Sequence, residues 1–303
     1  MTALTRRIPA RWRRFCTIAW TLPAFAAAAT RAFASASEFA IGFSDSMKTI
    51  VAKGAHMASR SITRTGTRDA NPGMRFVVTT FFDGQGFMVP RSLGVASAKE
   101  LSGATVCAEE GSTTLLNIAD WFSDRGIKYR VENIADKTAR LQAFFSGKCD
   151  VLASDRTALN SDRQLADDPE AYVILPEVIS NEPLTLLSQP DAELEKALYW
   201  SFQVMLNAEA LKISSANVDK VMADLANQPK SVQRLLGQDS AAGEMASQIG
   251  LPAEWSYNII KQVGNYGEVY DRNLGAEDYG LERAGTANAL SSQGGLMYPQ
   301  PIR

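Results

Sequence analysis

Val106–Phe122 reads VCAEEGSTTLLNIADWF. An apolar run ends, the short loop EEGSTT follows, and then apolar residues recur with helical spacing. Gly111, Ser112, Thr113 and Thr114 lie between a predicted strand and a predicted helix. Two readings account for them. Ser and Thr are good helix N-caps, and glycine makes tight turns. Alternatively, the backbone N–H groups and the positive end of the helix dipole hold an anion there.

The pattern repeats outward. RFVVTTFF from Arg75 is a strand by its β-branched and aromatic content, DGQG a turn, and FMVP a second short strand. Ser97 caps a short helix in SAKELSG. ATVCAEE, YRVENI, CDVLASD and YVILPE read as strands. TTLLNIADWFSDRG, ADKTARLQAFFSGK and RTALNSDRQLAD read as the helices between them. This alternation predicts a parallel α/β sheet with helices on both faces over residues 91–185. From 186 the chain turns mostly helical. Leu194, Ala197, Leu198, Phe202 and Met205 form one face, and Trp255, Ile259, Ile260 and Val263 another. The closing NALSSQGGLMYPQPIR is rich in Gly and Pro and is expected to lie over the surface.

The chain has 303 residues, enough for two domains. Its net charge of −2 argues against a nucleic-acid binder. A Ser-His-Asp triad or a His-rich metal site would have to use the single histidine, His56. No cofactor or metal is expected. Residues 1–34 carry Arg6, Arg7, Arg11, Arg13 and Arg14, then an Ala-rich apolar stretch, then Ala32-Phe33-Ala34. That is the layout of a secretory signal cleaved after Ala34, implying an exported protein with no later membrane span; an amphipathic amino-terminal arm is the alternative. Cys107 and Cys149 remain after cleavage, so a disulfide is the default for an exported chain. Two buried free thiols are the alternative. Residues 35–75 show no sustained period.

Ligands of open parallel sheets bind at the carboxyl ends of the strands. Two loops are placed there, Glu109–Thr114 with neutral donors and Ser154-Asp155 with a carboxylate. An α-amino acid, with its carboxylate and ammonium a few ångströms apart, matches both. Asp155 has a second reading as the cap of the following helix.

At this point FFDGQGFMV, VCAEEGSTTLLNIADWF, SGKCDVLASD, AYVILPEVIS and EWSYNIIKQVGNYGEVYDRNLG resemble the periplasmic general L-amino-acid-binding proteins of ABC importers, over about residues 60 to 303. The resemblance implies a two-lobed type II periplasmic binding protein, α/β, with parallel sheets and flanking helices. It implies an amino-terminal part of lobe one at 35–90, lobe two at 91–185, and a return to lobe one with a helical extension at 186–303. Crossings near FDGQGF and SNEPLT would form the hinge. It further implies an L-amino acid ligand, polar or of broad range, a membrane permease as partner, and a monomer that works alone until it docks. In lobe two, Ser112 and Thr113 match the positions that bind the α-carboxylate, and Asp155 the carboxylate that holds the α-ammonium. In lobe one, SITRTGTRD resembles the segment that brings hydroxyls and an arginine. Ser61 and Thr63 match its hydroxyl or backbone contacts, and Arg68 the arginine that pairs with the substrate carboxylate. Arg60 competes for that role, and Arg64 stands where members carry an aromatic residue.

The chain also departs from that family. Only Ser35–Thr67 stands where members carry a longer first half of lobe one, so lobe one is expected to be incomplete or altered, with an open, apolar edge. Two other functions follow as alternatives: a remnant that no longer binds, or an exported enzyme on a similar fold using Glu109 or Glu110.

Overall fold

The computed structural model describes residues 56–59, 61–237, 241–275 and 281–303. The expected signal at 1–34, residues 35–55 and Arg60 lie outside the described residues.

Two sheets share the chain. β1 (Met57–Ala58) and the helical turn α1 (Gly66–Asp69) lead to β2 (Arg75–Asp83). Gly84 alone separates β2 from β3 (Gln85–Pro90). The expected DGQG turn is therefore a crossing: Asp83 pairs with Glu182 in one sheet, and Gln85 with Asp155 in the other. Glycine is required at 84 by close approach, since a Cβ there would lie 2.3 Å from Val178 Cγ1 and 2.9 Å from the Ser180 carbonyl.

Next come β4 (Thr105–Ala108), α2 (Thr113–Ser123), β5 (Arg130–Asn133), α3 (Lys137–Phe145), β6 (Val151–Asp155), α4 (Arg156–Arg163) and β7 (Tyr172–Ile174). The sheet order is β5-β4-β6-β3-β7. β4 is parallel to both β5 and β6, as the alternation predicts. β3 is antiparallel to β6 and β7, so the sheet is mixed and takes in residues 85–90, ahead of residue 91. The reason is topological. β3 enters straight from the crossing and runs away from it, whereas β4 and β6 run toward it. Their carboxyl ends therefore face the other sheet. Phe87, Val106, Ile118 and Phe122 fill one side of this layer, and Met88, Leu141, Phe144 and Leu159 the other. Cys107 and Cys149 are bonded, with Cα atoms 5.7 Å apart. SAKELSG forms a single 3-10 turn, Ala98–Glu100, with Ser97 accepting from the Lys99 amide as expected.

β8 (Glu182–Ser188) carries the chain back and lies between β1 and β2, antiparallel to both. Among the described residues this sheet is three-stranded and antiparallel rather than parallel. The segment around Thr63 runs beside β8: Thr63 bridges Leu184, and the Arg64 and Thr185 amides donate to the Pro183 and Ile62 carbonyls.

α5 (Ala192–Ala210) packs on β2. Its expected face holds, yet Val204, Leu206 and Ala208 are buried as well. The remaining helices cover them: α6 (Val218–Ala223), α7 (Lys230–Leu236), α8 (Ala241–Gln248), α9 (Trp255–Gln262) and α10 (Tyr266–Leu274). A capping box on Asn265 and Glu268 starts α10. The carboxyl-terminal tail is not a surface strap. Leu290, Met297 and Ile302 are buried, Asn288 exchanges hydrogen bonds with the Phe82 backbone at 2.7 and 2.8 Å, and Arg283 forks onto Glu209. The Asn288 side-chain amide thus satisfies the Phe82 backbone of β2, an edge strand with no strand neighbour other than β8 among the described residues.

Candidate functional site

The site forms where the two crossings pass each other. Gln85 opens β3, Glu182 opens β8, and both are buried. Ser112 occupies the N-cap position of α2 with extended backbone angles, but its side chain caps nothing and donates instead to the Glu109 carbonyl at 2.6 Å. Gly111, at φ +72°, makes the left-handed turn that allows this. The plain-cap reading of the loop therefore fails in its detail, because the first-turn amides of α2 receive no side-chain cap from Ser112.

Thr113 and Asn117 stand one turn apart on the same face of α2. Thr113 Oγ1 donates to Glu182 Oε2 at 3.3 Å and accepts from Gln85 Nε2 at 3.0 Å. Asn117 Nδ2 donates to Glu182 Oε1 at 2.8 Å and Gln85 Oε1 at 2.7 Å. From the other sheet, Thr63 Oγ1 donates to Glu182 Oε2. Arg68, half-buried, donates to the Thr63 carbonyl at 2.9 Å. Burial lowers its pKa, against the opposing pull of Glu182 and Asp155.

Asp155 stands at the N-cap position of α4, yet its side chain makes no capping bond. Oδ1 accepts from Gln85 Nε2 at 3.2 Å. Asp83 takes over the cap: its Oδ2 accepts from the Thr157 amide at 3.4 Å and hydroxyl at 2.5 Å. That substitution releases Asp155 from local work and leaves it aimed at the crossing. Burial raises its pKa to about 7, and the negative charges of Asp83, Glu182 and Glu109 act in the same direction. Burial likewise raises Asp83.

Thr63, Arg68, Thr113 and Asp155, named from the sequence, thus converge on one junction between the sheets. Ser61 does not join the cluster and is exposed. Arg64 points away, paired with Asp69 at 2.7 Å. Glu109 is tied to the buried Arg140 at 3.0 Å, and Glu110 is exposed. The sequence reading missed Gln85, Asn117, Asp83 and Glu182. Asn117 was within reach, at i+4 from Thr113 on a predicted helix. The other three flank the two crossings, where no periodicity marks a residue.

No protein-family model matches the chain. It is 40% identical over 248 residues to the putative amino-acid ABC transporter-binding protein YhdW of Escherichia coli K12, covering 82% of this chain and 71% of that one. It is 42% identical over 246 residues to the glutamate/glutamine/aspartate/asparagine-binding protein BztA of Rhodobacter capsulatus, covering 80% and 71%. The chain belongs to the amino-acid-binding proteins of ABC transporters. A solved relative agrees with that placement: an ABC transporter periplasmic binding protein from Brucella ovis with glutathione bound, at 33% identity and a TM-score of 0.82, covering 87% of this chain and 81% of that one. The fold is that of a type II periplasmic binding protein, with two sheets in the described residues. No helix of the described residues is long and apolar enough to cross a membrane.

Proposed function

We propose that this protein captures free L-amino acids between its two lobes, in the periplasm, and delivers them as a monomer to an ABC permease without chemical turnover. The observation that carries the reading is the convergence of opposite groups from both lobes: Arg68 and Thr63 from one, Thr113 and Asp155 from the other. Arg68 and the hydroxyls suit an α-carboxylate, with Ser112 and the uncapped first turn of α2 beside them. Asp155 suits an α-ammonium, which would supply the counter-charge that its burial demands. We assign export to the basic and apolar leader at 1–34. The relatives are named as binding proteins, and Glu109, the tempting acid, is held in an ion pair rather than poised for proton transfer.

A thermal-shift panel tests the reading. The exported chain is melted with each common L-amino acid at millimolar concentration. Ligand at a hundred times its Kd adds about 2.7 kcal/mol of stability. Shifts with polar L-amino acids that vanish in Asp155→Ala support capture. A cooperative melt that no amino acid moves refutes it and leaves a folded remnant.

A further inference from the structure

Glu182 does more than fill a buried polar position. It is the first residue of β8, at the return crossing, and only 2% exposed. Its donors come from both sides. Thr63 belongs to the lobe of the three-stranded sheet, and Thr113 and Asn117 to α2 on the five-stranded sheet. Thr63 and Thr113 are also two of the groups assigned above to the ligand's carboxylate. A hydroxyl carries one proton. The Thr113 proton points to Glu182 while its oxygen accepts from Gln85, so it cannot serve a second carboxylate at the same time. The same holds for Thr63. Two carboxylates on these hydroxyls would also repel each other in a partly desolvated site. Arg68 lies within the attractive field of Glu182, so it too is shared between the internal carboxylate and an incoming one.

We propose that Glu182 is an internal competitor for the ligand's α-carboxylate: from the crossing it holds the hydroxyls of Thr63 and Thr113 and so latches the two lobes together, and an amino acid binds by displacing it. This inference rests on the amino-acid-capture reading and deepens it. Binding is then an exchange of one carboxylate for another. Affinity is set by what Arg68 and Asp155 gain from the ligand, less what Glu182 loses. Selectivity follows, because ligands lacking an α-carboxylate cannot drive the exchange.

The test is calorimetric titration of the exported protein and of Glu182→Gln with L-glutamine and with its α-amide, L-glutaminamide. Glu182→Gln keeps the shape but removes the charge and one acceptor. L-glutamine is expected to bind the variant about tenfold more tightly than the wild type, with no such gain for L-glutaminamide. Weaker binding of L-glutamine by the variant, as a merely structural or ligand-holding role requires, overturns the proposal. So does an equal gain for both ligands. A second measurement separates this from failure of the capture reading. Spin labels on Leu116→Cys and Lys230→Cys report the spacing of the lobes without ligand. Glu182→Ala is expected to lengthen and broaden that spacing. An unchanged distribution refutes the latch, whether or not any amino acid binds.

Discussion

Replacing Asp155 with asparagine isolates the electrostatic strain at the centre of the site. Burial and three nearby carboxylates raise the Asp155 pKa from 3.8 to about 7. The folded chain therefore holds this proton more tightly than the unfolded chain does. Below about pH 4 both states are protonated and there is no penalty. Between about pH 4 and 7 the unfolded chain ionises first, and stability falls as pH rises; above 7 the penalty is complete. The shift of about three units sets a ceiling of roughly 4 kcal/mol, and solvent reaching this half-buried group brings the working figure to about 2 kcal/mol. Asp155→Asn keeps an acceptor for Gln85 and removes the titration. Its melting temperature, compared with wild type without ligand, should rise by about 4 to 8 °C more at pH 8.5 than at pH 4. Scanning calorimetry of both proteins across that range is the assay. A difference between them that does not change with pH would refute the argument that Asp155 is buried at a cost and waits for a cation.

The same titration predicts that wild-type affinity for an L-amino acid weakens as pH falls below about 7, by up to about tenfold per pH unit, since a protonated Asp155 cannot pair with the α-ammonium; isothermal titration at pH 5.5 and 8 checks it. Arg68→Lys loses the fork while keeping the charge, and Kd should rise by about tenfold or more, read by the same titration. Gly84→Ala drives a methyl group into Val178 and the Ser180 carbonyl, and should cost about 1 to 3 kcal/mol in urea unfolding, in part recovered by Val178→Ala. Reducing the disulfide Cys107–Cys149, separated by 42 residues, should lower stability by about 4 kcal/mol, seen as a lower urea midpoint with reductant.

Much of the five-stranded unit was legible because its information is local. Periodicity marked β4, α2, α3 and β6, and Gly126 and Gly147, at φ +63° and +78°, follow α2 and α3 as a stop signal should. Thr113 and Asp155 were legible because strand ends carry ligands in such sheets. The direction of β3 was not legible. FMVP is as apolar as a parallel strand, and only the crossing at Gly84 decides which way it runs. Nor was the role of Asp83, which reads as a turn residue and acts as the cap of a helix more than seventy positions later.

By itself the sequence determined the existence and order of the strand–helix units, the two cysteines available for a bond, the family resemblance, and four of the eight polar side chains that meet at the site. These follow from residue types at short spacing, where backbone geometry alone sets which side chains share a face. Only the tertiary structure decided that Gln85 and Glu182 meet Thr63, Thr113 and Asn117 at one point, that Asp155 is spared from capping, and that the tail closes the end of β2. Those outcomes depend on contacts between residues as far apart as Phe82 and Asn288, and no local pattern encodes which distant polar group will satisfy a buried one.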